Sequence, residues 1–363
     1  MFGTILLILF TLMLVYVLGR AATVPLVTRR MRRWYLIPVG LVLWVVFFLG
    51  RFFGHGGEGT LAAVLEYTGM NVLGAVFLTF MVMLAVDLVT AFGLLLRRWA
   101  PALRGWALIA AAILVAWALI QGHRAPAVVR HEVVLKDLPA DLDGTVLVAF
   151  SDTHVEKILG TGWLEARVEQ VHGLSPDLVA LVGDIFEGHG GPPAGAQEIL
   201  ARLSAPLGVY FISGNHDRSN GDVLDRAGFT RLDGAWTQVR PGLVLAGVRD
   251  LTSHRRRNLG GDPVGEALSV RPRAGTVFLS HSPLEMERAA AAGAGLMISG
   301  HTHGGQIWPF NHLVSRRYPL VAGREEVDGM TVIVTRGAGT WGPRMRLWKR
   351  GEILHLTLRS PAV

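Results

Sequence analysis

Cysteine is absent from all 363 residues. Disulfides, thiolate zinc sites and cysteine nucleophiles are therefore excluded. Charge is scarce: 17% of residues are Asp, Glu, Lys or Arg, against 51% hydrophobic. So apolar a composition excludes a disordered, collagen-like or coiled-coil chain, and it exceeds what an ordinary soluble enzyme carries. No G-x-x-x-x-G-K-S/T loop and no G-x-S-x-G nucleophile elbow occurs, which argues against an NTP-driven machine and a serine hydrolase. Acids are rarest at the front. Residues 1–122 hold three (Glu58, Glu66, Asp87) against nine Arg, whereas 123–363 hold 25 acids against 26 bases, and twelve of the thirteen histidines. The formal charge of +7 therefore belongs almost wholly to the front part.

What fills that front part is four apolar stretches. Residues 1–19, 34–50 and 105–122 carry no charged side chain, and 67–96 carry only Asp87. A hydrocarbon core of about 30 Å needs about 20 helical residues, so all four are expected to span. A soluble bundle would need polar faces, which these stretches lack. Residues 1–122 are thus expected to form a membrane domain of four transmembrane helices. The first loop holds Arg20, Arg29, Arg30, Arg32 and Arg33, and the third holds Arg97, Arg98 and Arg104. The positive-inside rule places both loops in the cytoplasm and both termini outside. The expectation is a protein integral to the cytoplasmic (inner) membrane of a bacterium, with residues 123–363 on the extracytoplasmic side. Asp87 lies ten residues before Arg97, about 15 Å along a helix. That spacing predicts a mid-membrane carboxylate, either functional or protonated and bonded within the bundle.

Beyond residue 128 the pattern changes. Val/Ile/Leu-rich runs at 145–150, 178–182, 208–212, 276–279, 296–298 and 330–335 alternate with helical stretches such as 163–172, 196–203 and 284–292. Such alternation predicts an α/β layered fold. Polar residues cluster where these strands end, which is where α/β sheets bind ligands. Asp152 and His154 follow the first run. Asp184 and then Glu187 follow the second. Asn215, His216 and Asp217 follow the third, His281 the next, and His301 and His303 the one after. A lone histidine at a strand end is usually a bonded structural residue, and Asn-His-Asp alone can be a turn. Five coincidences at equivalent positions are a different matter. Seven oxygen and imidazole donors (Asp152, His154, Asp184, Asn215, His281, His301, His303) are too many for one tetrahedral metal. They suit two divalent ions about 3.5–4 Å apart, with Mn, Fe or Zn fitting such donors better than Ca.

Together, Asp152-Thr-His154, Gly183-Asp184, Gly214-Asn215-His216-Asp217, His281 and Gly300-His301-Thr302-His303 resemble the calcineurin-like metallophosphoesterase superfamily. The run from Gly300 to Gln306 and the run from Arg336 to Thr340 are similar to its bacterial membrane-associated branch. The resemblance covers roughly residues 128–360. It implies a four-layer α/β/β/α sandwich preceded by the transmembrane region. It also implies that Asp152, His154 and His303 hold one metal, that Asn215, His281 and His301 hold the other, and that Asp184 bridges them. His216 resembles the catalytic histidine that faces the substrate. Glu187 stands where many relatives carry a shorter carboxylate, and with Asp217 it is expected to lie behind the ligands. Asp217 either orients His216 or stabilises the turn.

The implied reaction is in-line hydrolysis of a phosphate ester or pyrophosphate by hydroxide held between two cations, with His216 protonating the leaving oxygen. Arg255, Arg256, Trp308 and Phe310 are candidates for substrate contact, the aromatic pair toward a lipid tail. The expected partners are a phosphate-containing substrate, lipid-linked in that version, and membrane lipids; nucleic acid is disfavoured, and the oligomeric state is not legible. A catalytically silent metal-containing receptor or regulator, and a soluble nucleotide phosphodiesterase, stand as alternatives.

Overall fold

The computed structural model of the chain describes residues 2–155, 160–188, 191–217 and 221–361. It divides into two compact units, Met1–His123 with Gly342–Trp348 and Arg124–Trp341 with Lys349–Val363.

The first unit contains four helices long and apolar enough to cross a membrane: Gly3–Ala21, Arg33–Gly54, Gly59–Val89 and Ala100–His123. Phe10, Leu14, Phe47 and Val76 form a buried cluster between the first three, and the Phe10 and Phe47 rings lie 4.2 Å apart. The third helix ends at Val89, earlier than the apolar run suggests, so Asp87 sits in its last turn rather than at mid-membrane. There the carboxylate is buried and doubly paired. Arg20 Nε reaches Oδ2 at 2.5 Å and Arg104 Nη2 reaches Oδ1 at 2.7 Å. Tyr16 also donates to Oδ2 at 2.5 Å. Two guanidinium groups thus meet the buried carboxylate, an ion-pair cluster that joins three helices near their ends in place of the mid-membrane acid that the spacing predicts.

The segment 342–348 falls within the part 123–363 by sequence. It packs with the helices of the first unit. Its backbone groups find hydrogen-bond partners on those helices, as buried amides and carbonyls require. Arg344 N–H donates to Asn71 Oδ1 at 2.9 Å. Arg346 N–H donates to the Ala118 carbonyl at 2.9 Å. Gln121 Nε2 donates to the Trp348 carbonyl at 3.1 Å.

Among the described residues the second unit has twelve strands: β1 Ala127–Val134, β2 Val146–Phe150, β3 Leu178–Val182, β4 Val209–Ile212, β5 Thr230–Arg231, β6 Ala235–Arg240, β7 Leu243–Val248, β8 Gly275–Ser280, β9 Leu296–Ser299, β10 Gly323–Val327, β11 Met330–Val334 and β12 Glu352–Arg359. They form two six-stranded sheets, in the orders β1-β12-β2-β3-β4-β5 and β10-β11-β9-β8-β7-β6. Alternation along each strand assigns the layers. Leu147, Ala149, Leu178, Ala180 and Val182 join Leu245, Val277, Leu279 and Ile298 in one core between the sheets. The intervening Val148, Phe150, Val179 and Leu181 face Leu164, Val168 and Leu200, the apolar stripe of the helices Gly160–His172 and Ala196–Leu200. On the far side, Ala246, Phe278 and Met297 pack against Leu251, Met286 and Ala289 of the helices Leu251–Arg256 and Met286–Ala291. The result is the four-layer α/β/β/α sandwich.

Candidate metal centre

Strands β2, β3 and β4 run parallel in one sheet, and β8 and β9 run parallel in the other. Their carboxyl ends supply every residue singled out as a metal ligand. Asp152, His154, Asp184, His301 and His303 all have left-handed backbone, with φ of 52°, 44°, 54°, 69° and 50°. Non-glycine residues avoid this region, and strain of this kind concentrates at functional sites. It lets short loops turn their side chains back over the strand ends. Neighbouring glycines make room: a Cβ on Gly214 would collide with Asp184 Oδ1, and one on Gly300 with Asp152 Oδ2.

These loops bring three sets of potential ligand atoms together, each set within 4.8 Å: Asp152, His154 and His303; Asp184, His281 and His301; and His154, Glu187 and His216. His154 Nε2 faces His303 Nε2 at 3.1 Å, and His303 Nε2 lies 3.4 Å from Asp152 Oδ1. In the second set, His281 Nε2 is 3.1 Å from Asp184 Oδ2 and 3.3 Å from His301 Nδ1. Asp184 Oδ2 also lies 3.9 Å from His154 Nε2, between the first two sets. His281 Nδ1 donates to the Val182 carbonyl at 2.8 Å, so the lone pair of its neutral ring lies on Nε2, facing His301. Asn215 Oδ1 is buried without a hydrogen-bond partner among the described residues. Facing imidazole nitrogens and an orphaned amide oxygen are donor sets that a cation satisfies. The residues present therefore fit two divalent ions.

The electrostatics agree. Burial lowers the His154 imidazole, yet Glu187, Asp184 and Asp152 carry it up to about 9. Burial also opposes charge on His281, and Asp184 and Asp152 raise it well above the usual histidine value. His301 goes the other way, to about 4, through burial and the neighbouring His281 charge. A pocket that pulls protons onto two buried imidazoles is one that stabilises positive charge.

Glu187 is placed closer than expected. Its Oε2 lies 2.7 Å from His154 Nδ1 and its Oε1 3.7 Å from His216 Nδ1. Asp217 takes the turn-stabilising role. Its Oδ2 accepts the N–H groups of Asp184 at 2.6 Å and Gly214 at 2.9 Å. Its Oδ1 accepts those of Ile185 at 3.0 Å and Phe186 at 3.4 Å. The His216 ring is instead held by the Glu187 carbonyl, 2.8 Å from Nδ1. Arg255 and Arg256 lie exposed in the last turn of the helix Leu251–Arg256, where Arg255 pairs with Glu285. Trp308 and Phe310 are exposed. Among the described residues, none of these four bonds to a member of the cluster.

Two further residues stand beside the cluster. Trp341, next to the run from Arg336 to Thr340, lies with its ring centroid 6.3 Å from that of His216, held by reciprocal bonds of its backbone with Gln306. Tyr318 has its hydroxyl 2.6 Å from His301 Nε2. Tyr318 belongs to no motif, and only the fold brings it to the site.

The chain is similar to known proteins. The profile of the family described as calcineurin-like phosphoesterase matches residues 145–305. A transmembrane protein with metallophosphoesterase domain from Danio rerio is 33% identical over 271 residues, covering 70% of this chain and 62% of that protein. Its Bos taurus counterpart is 31% identical, covering 67% and 59%, so the chain spans about three fifths of these relatives. An uncharacterized metallophosphoesterase from Aquifex aeolicus is 31% identical over 246 residues, covering 64% of this chain and 91% of that protein. A crystal structure of a dimetal phosphatase from Danio rerio aligns at 15% identity with a TM-score of 0.35, covering 59% of this chain and 99% of that one.

Proposed function

The chain belongs to the calcineurin-like phosphoesterase family, and we propose that it is a membrane-anchored, dinuclear metal-dependent phosphoesterase. The observation that carries this reading is the meeting of Asp152, His154 and His303 with Asp184, His281 and His301 at the ends of four strands, with Asp184 reaching both sets. Asp152, His154 and His303 would hold one cation, Asn215, His281 and His301 the other, and Asp184 both. Two such cations supply a water nucleophile at neutral pH and bind phosphoryl oxygens.

The remaining roles fall to the chain. A carbonyl only accepts, so His216 Nδ1 carries a proton toward Glu187 O, and Nε2 of the ring in its doubly protonated form is the atom left to protonate the departing oxygen. The Trp341 ring packs edge-on to the same imidazole and limits water on that side. The loops from Asp184 to Glu187 and from Gly214 to His216 are braced by Asp217, which keeps acid and ligands in one frame. The substrate class we infer is a phosphate ester or pyrophosphate carrying an acyl or isoprenoid tail. Four membrane-crossing helices and the exposed Trp308 and Phe310 support this, because exposed aromatic rings favour the membrane–water interface.

Membrane placement follows the same logic. Arg20 and Arg104 converge on Asp87, which supports placing the two Arg-rich loops at one end of the bundle, on the cytoplasmic side of a bacterial inner membrane, with the hydrolase outside. A C-terminal reporter active only outside the cytoplasm should be active; a silent fusion contradicts the orientation.

Metal analysis of the purified protein, followed by a hydrolysis panel, tests the activity. The panel comprises an aryl monoester, an aryl diester, lipid phosphates and nucleotide-linked lipids, with His216→Ala and Asp184→Asn as controls. Two equivalents of Mn, Fe or Zn and turnover strongest on a lipid member are expected. Metals bound without turnover of any member would point to a receptor instead.

A further inference from the structure

Behind His301 lies a chain of buried hydroxyls that belongs to none of the motifs. His301 Nε2 is 2.6 Å from Tyr318 Oη. Tyr318 Oη is 3.2 Å from Thr252 Oγ1. Thr252 Oγ1 is 2.7 Å from Ser282 Oγ. Ser282 Oγ donates in turn to Asp250 Oδ1. Tyr318, Thr252, Ser282 and Asp250 are all buried. Distances alone leave the direction of the middle bonds open, because either hydroxyl of a pair can donate.

Counting protons closes it. Asp250 accepts the N–H groups of Thr252 at 3.3 Å and Ser253 at 2.6 Å, in addition to the Ser282 hydroxyl. A carboxylate holding three donors is ionised and only accepts. Ser282 has one hydroxyl proton, and it goes to Asp250. Thr252 must therefore donate to Ser282, and Tyr318 must donate to Thr252. The Tyr318 oxygen is left with lone pairs toward His301, so the proton in that contact belongs to His301 Nε2. The other ring nitrogen, Nδ1, then carries the lone pair. It is Nδ1 that points at His281 Nε2, 3.3 Å away, in the set that also contains Asp184.

We propose that Asp250, Ser282, Thr252 and Tyr318 form a one-way hydrogen-bond chain that fixes the tautomer of His301 and aims its Nδ1 at the second cation. Tyr318 and Thr252 are thus positioning residues, acting through His301. The inference rests on the metal-centre reading above. The chain starts from a fixed charge, so its direction does not reverse by hydroxyl rotation. Outer partners of ligating histidines commonly set ring orientation and basicity in this way, and their loss costs about 10–100-fold in metal affinity.

The test is Mn²⁺ binding to the full-length protein in detergent micelles, by calorimetry and by electron paramagnetic resonance, alongside thermal unfolding. Wild type should take up two equivalents. Tyr318→Phe removes the acceptor of the His301 proton, and one of the two equivalents should weaken by about 10–100-fold. Thr252→Val keeps Tyr318 but removes the group that claims its proton. Tyr318 is then free to donate to His301 Nε2, which shifts the ring proton to Nδ1, so the same equivalent should weaken. Thr252→Ser restores the hydroxyl and should bind as wild type. In ¹⁵N-histidine spectra without added metal, the His301 pattern should move from the Nε2–H toward the Nδ1–H tautomer in Thr252→Val alone of the two Thr252 variants. Folded Tyr318→Phe or Thr252→Val protein that binds both equivalents as tightly as wild type overturns the proposal. So does equal weakening in Thr252→Ser and Thr252→Val, which would show packing rather than proton direction. No Mn²⁺ uptake by wild type would defeat the metal-centre reading, and this inference with it.

Discussion

Replacing Asp217 by Asn separates two roles that the Asn-His-Asp run leaves open. The side chain is 2% exposed. Each carboxylate oxygen accepts two backbone N–H groups: Asp184 and Gly214 on one, Ile185 and Phe186 on the other. Asn keeps one oxygen and puts an NH₂ where the other stood. Whichever way the amide turns, two buried N–H groups lose their acceptor and meet a donor. Leaving a buried donor unsatisfied costs about 1–3 kcal/mol, so the pair costs about 2–6 kcal/mol. That is a large share of the ~5–15 kcal/mol by which domains are stable. At about 2–4 °C per kcal/mol for a domain of this size, the unfolding midpoint should fall by several degrees to about 20 °C.

The loss is local as well as global. The orphaned amides lie in the loops that carry Asp184, Glu187, Asn215 and His216, so metal affinity should fall along with stability. Tryptophan fluorescence during thermal unfolding and Mn²⁺ calorimetry on the same preparation read both quantities. If Asp217 served chiefly to orient His216, the outcome would differ. Asp217→Asn would then unfold like wild type, bind two equivalents as tightly and lose only turnover, with a displaced acid limb in the pH profile. That result would refute the brace.

Gly214→Ala places a Cβ against Asp184 Oδ1; displacing that carboxylate by about 1 Å should lower kcat by about 100-fold, measured on any turned-over ester, and an unchanged kcat would remove Asp184 from the site. Metal uptake should depend on pH in a definite sense. His154 is held up to about 9 by Glu187 and the two aspartates, so below that pH a cation must displace its proton. Mn²⁺ affinity should therefore rise as pH increases toward 9, and calorimetry in buffers of different ionisation enthalpy should show proton release at pH 7; uptake without release would contradict the assignment of His154. Asp87→Asn leaves Arg20 and Arg104 facing a neutral amide, and breaking a buried pair costs about 3–5 kcal/mol. The thermal midpoint in detergent should drop, and wild-type stability would mean the triad contributes nothing.

How much of this was legible in the sequence depended on the range of the interaction. The site ligands stood out because each sits at a strand end in a short block, Asp152 with His154 or His301 with His303, and short blocks survive in linear order. Strands with solid apolar runs, such as β2, β3 and β9, were visible for the same reason. β7 is as buried as these, yet it follows the half-buried arm Ala235–Arg240 across only Pro241 and Gly242 and carries Ala246 and Gly247, so its apolar run stands out less. β1 and β12 pair in parallel across more than 200 residues, a contact that no local pattern announces. Asp87 went wrong because span length was read from hydropathy: Leu94, Leu95 and Leu96 continue the apolar run, but Phe92 and Leu96 adopt left-handed φ of 58° and 51° and the helix has already ended at Val89.

The hydroxyl chain behind His301 marks the limit of such reading. Asp250, Thr252, Ser282 and Tyr318 come from three separate segments, and each is an ordinary residue for its place: a helix cap, a first-turn threonine, a serine after a strand, a tyrosine in a loop. Their significance lies in donor arithmetic that exists only once the four oxygens are side by side. His301 and His281 show the same division of labour. The Gly-His-Thr-His block identifies His301 and the end of β8 identifies His281, while the Val182 carbonyl, 2.8 Å from His281 Nδ1, and Tyr318 Oη, 2.6 Å from His301 Nε2, bear on which nitrogen of each ring is left for a metal. The candidate ligands are thus written locally in this chain, and on the proposed reading their protonation depends on residues outside those blocks. A substitution at Thr252 can therefore act on the metal centre without changing any residue that a motif would flag.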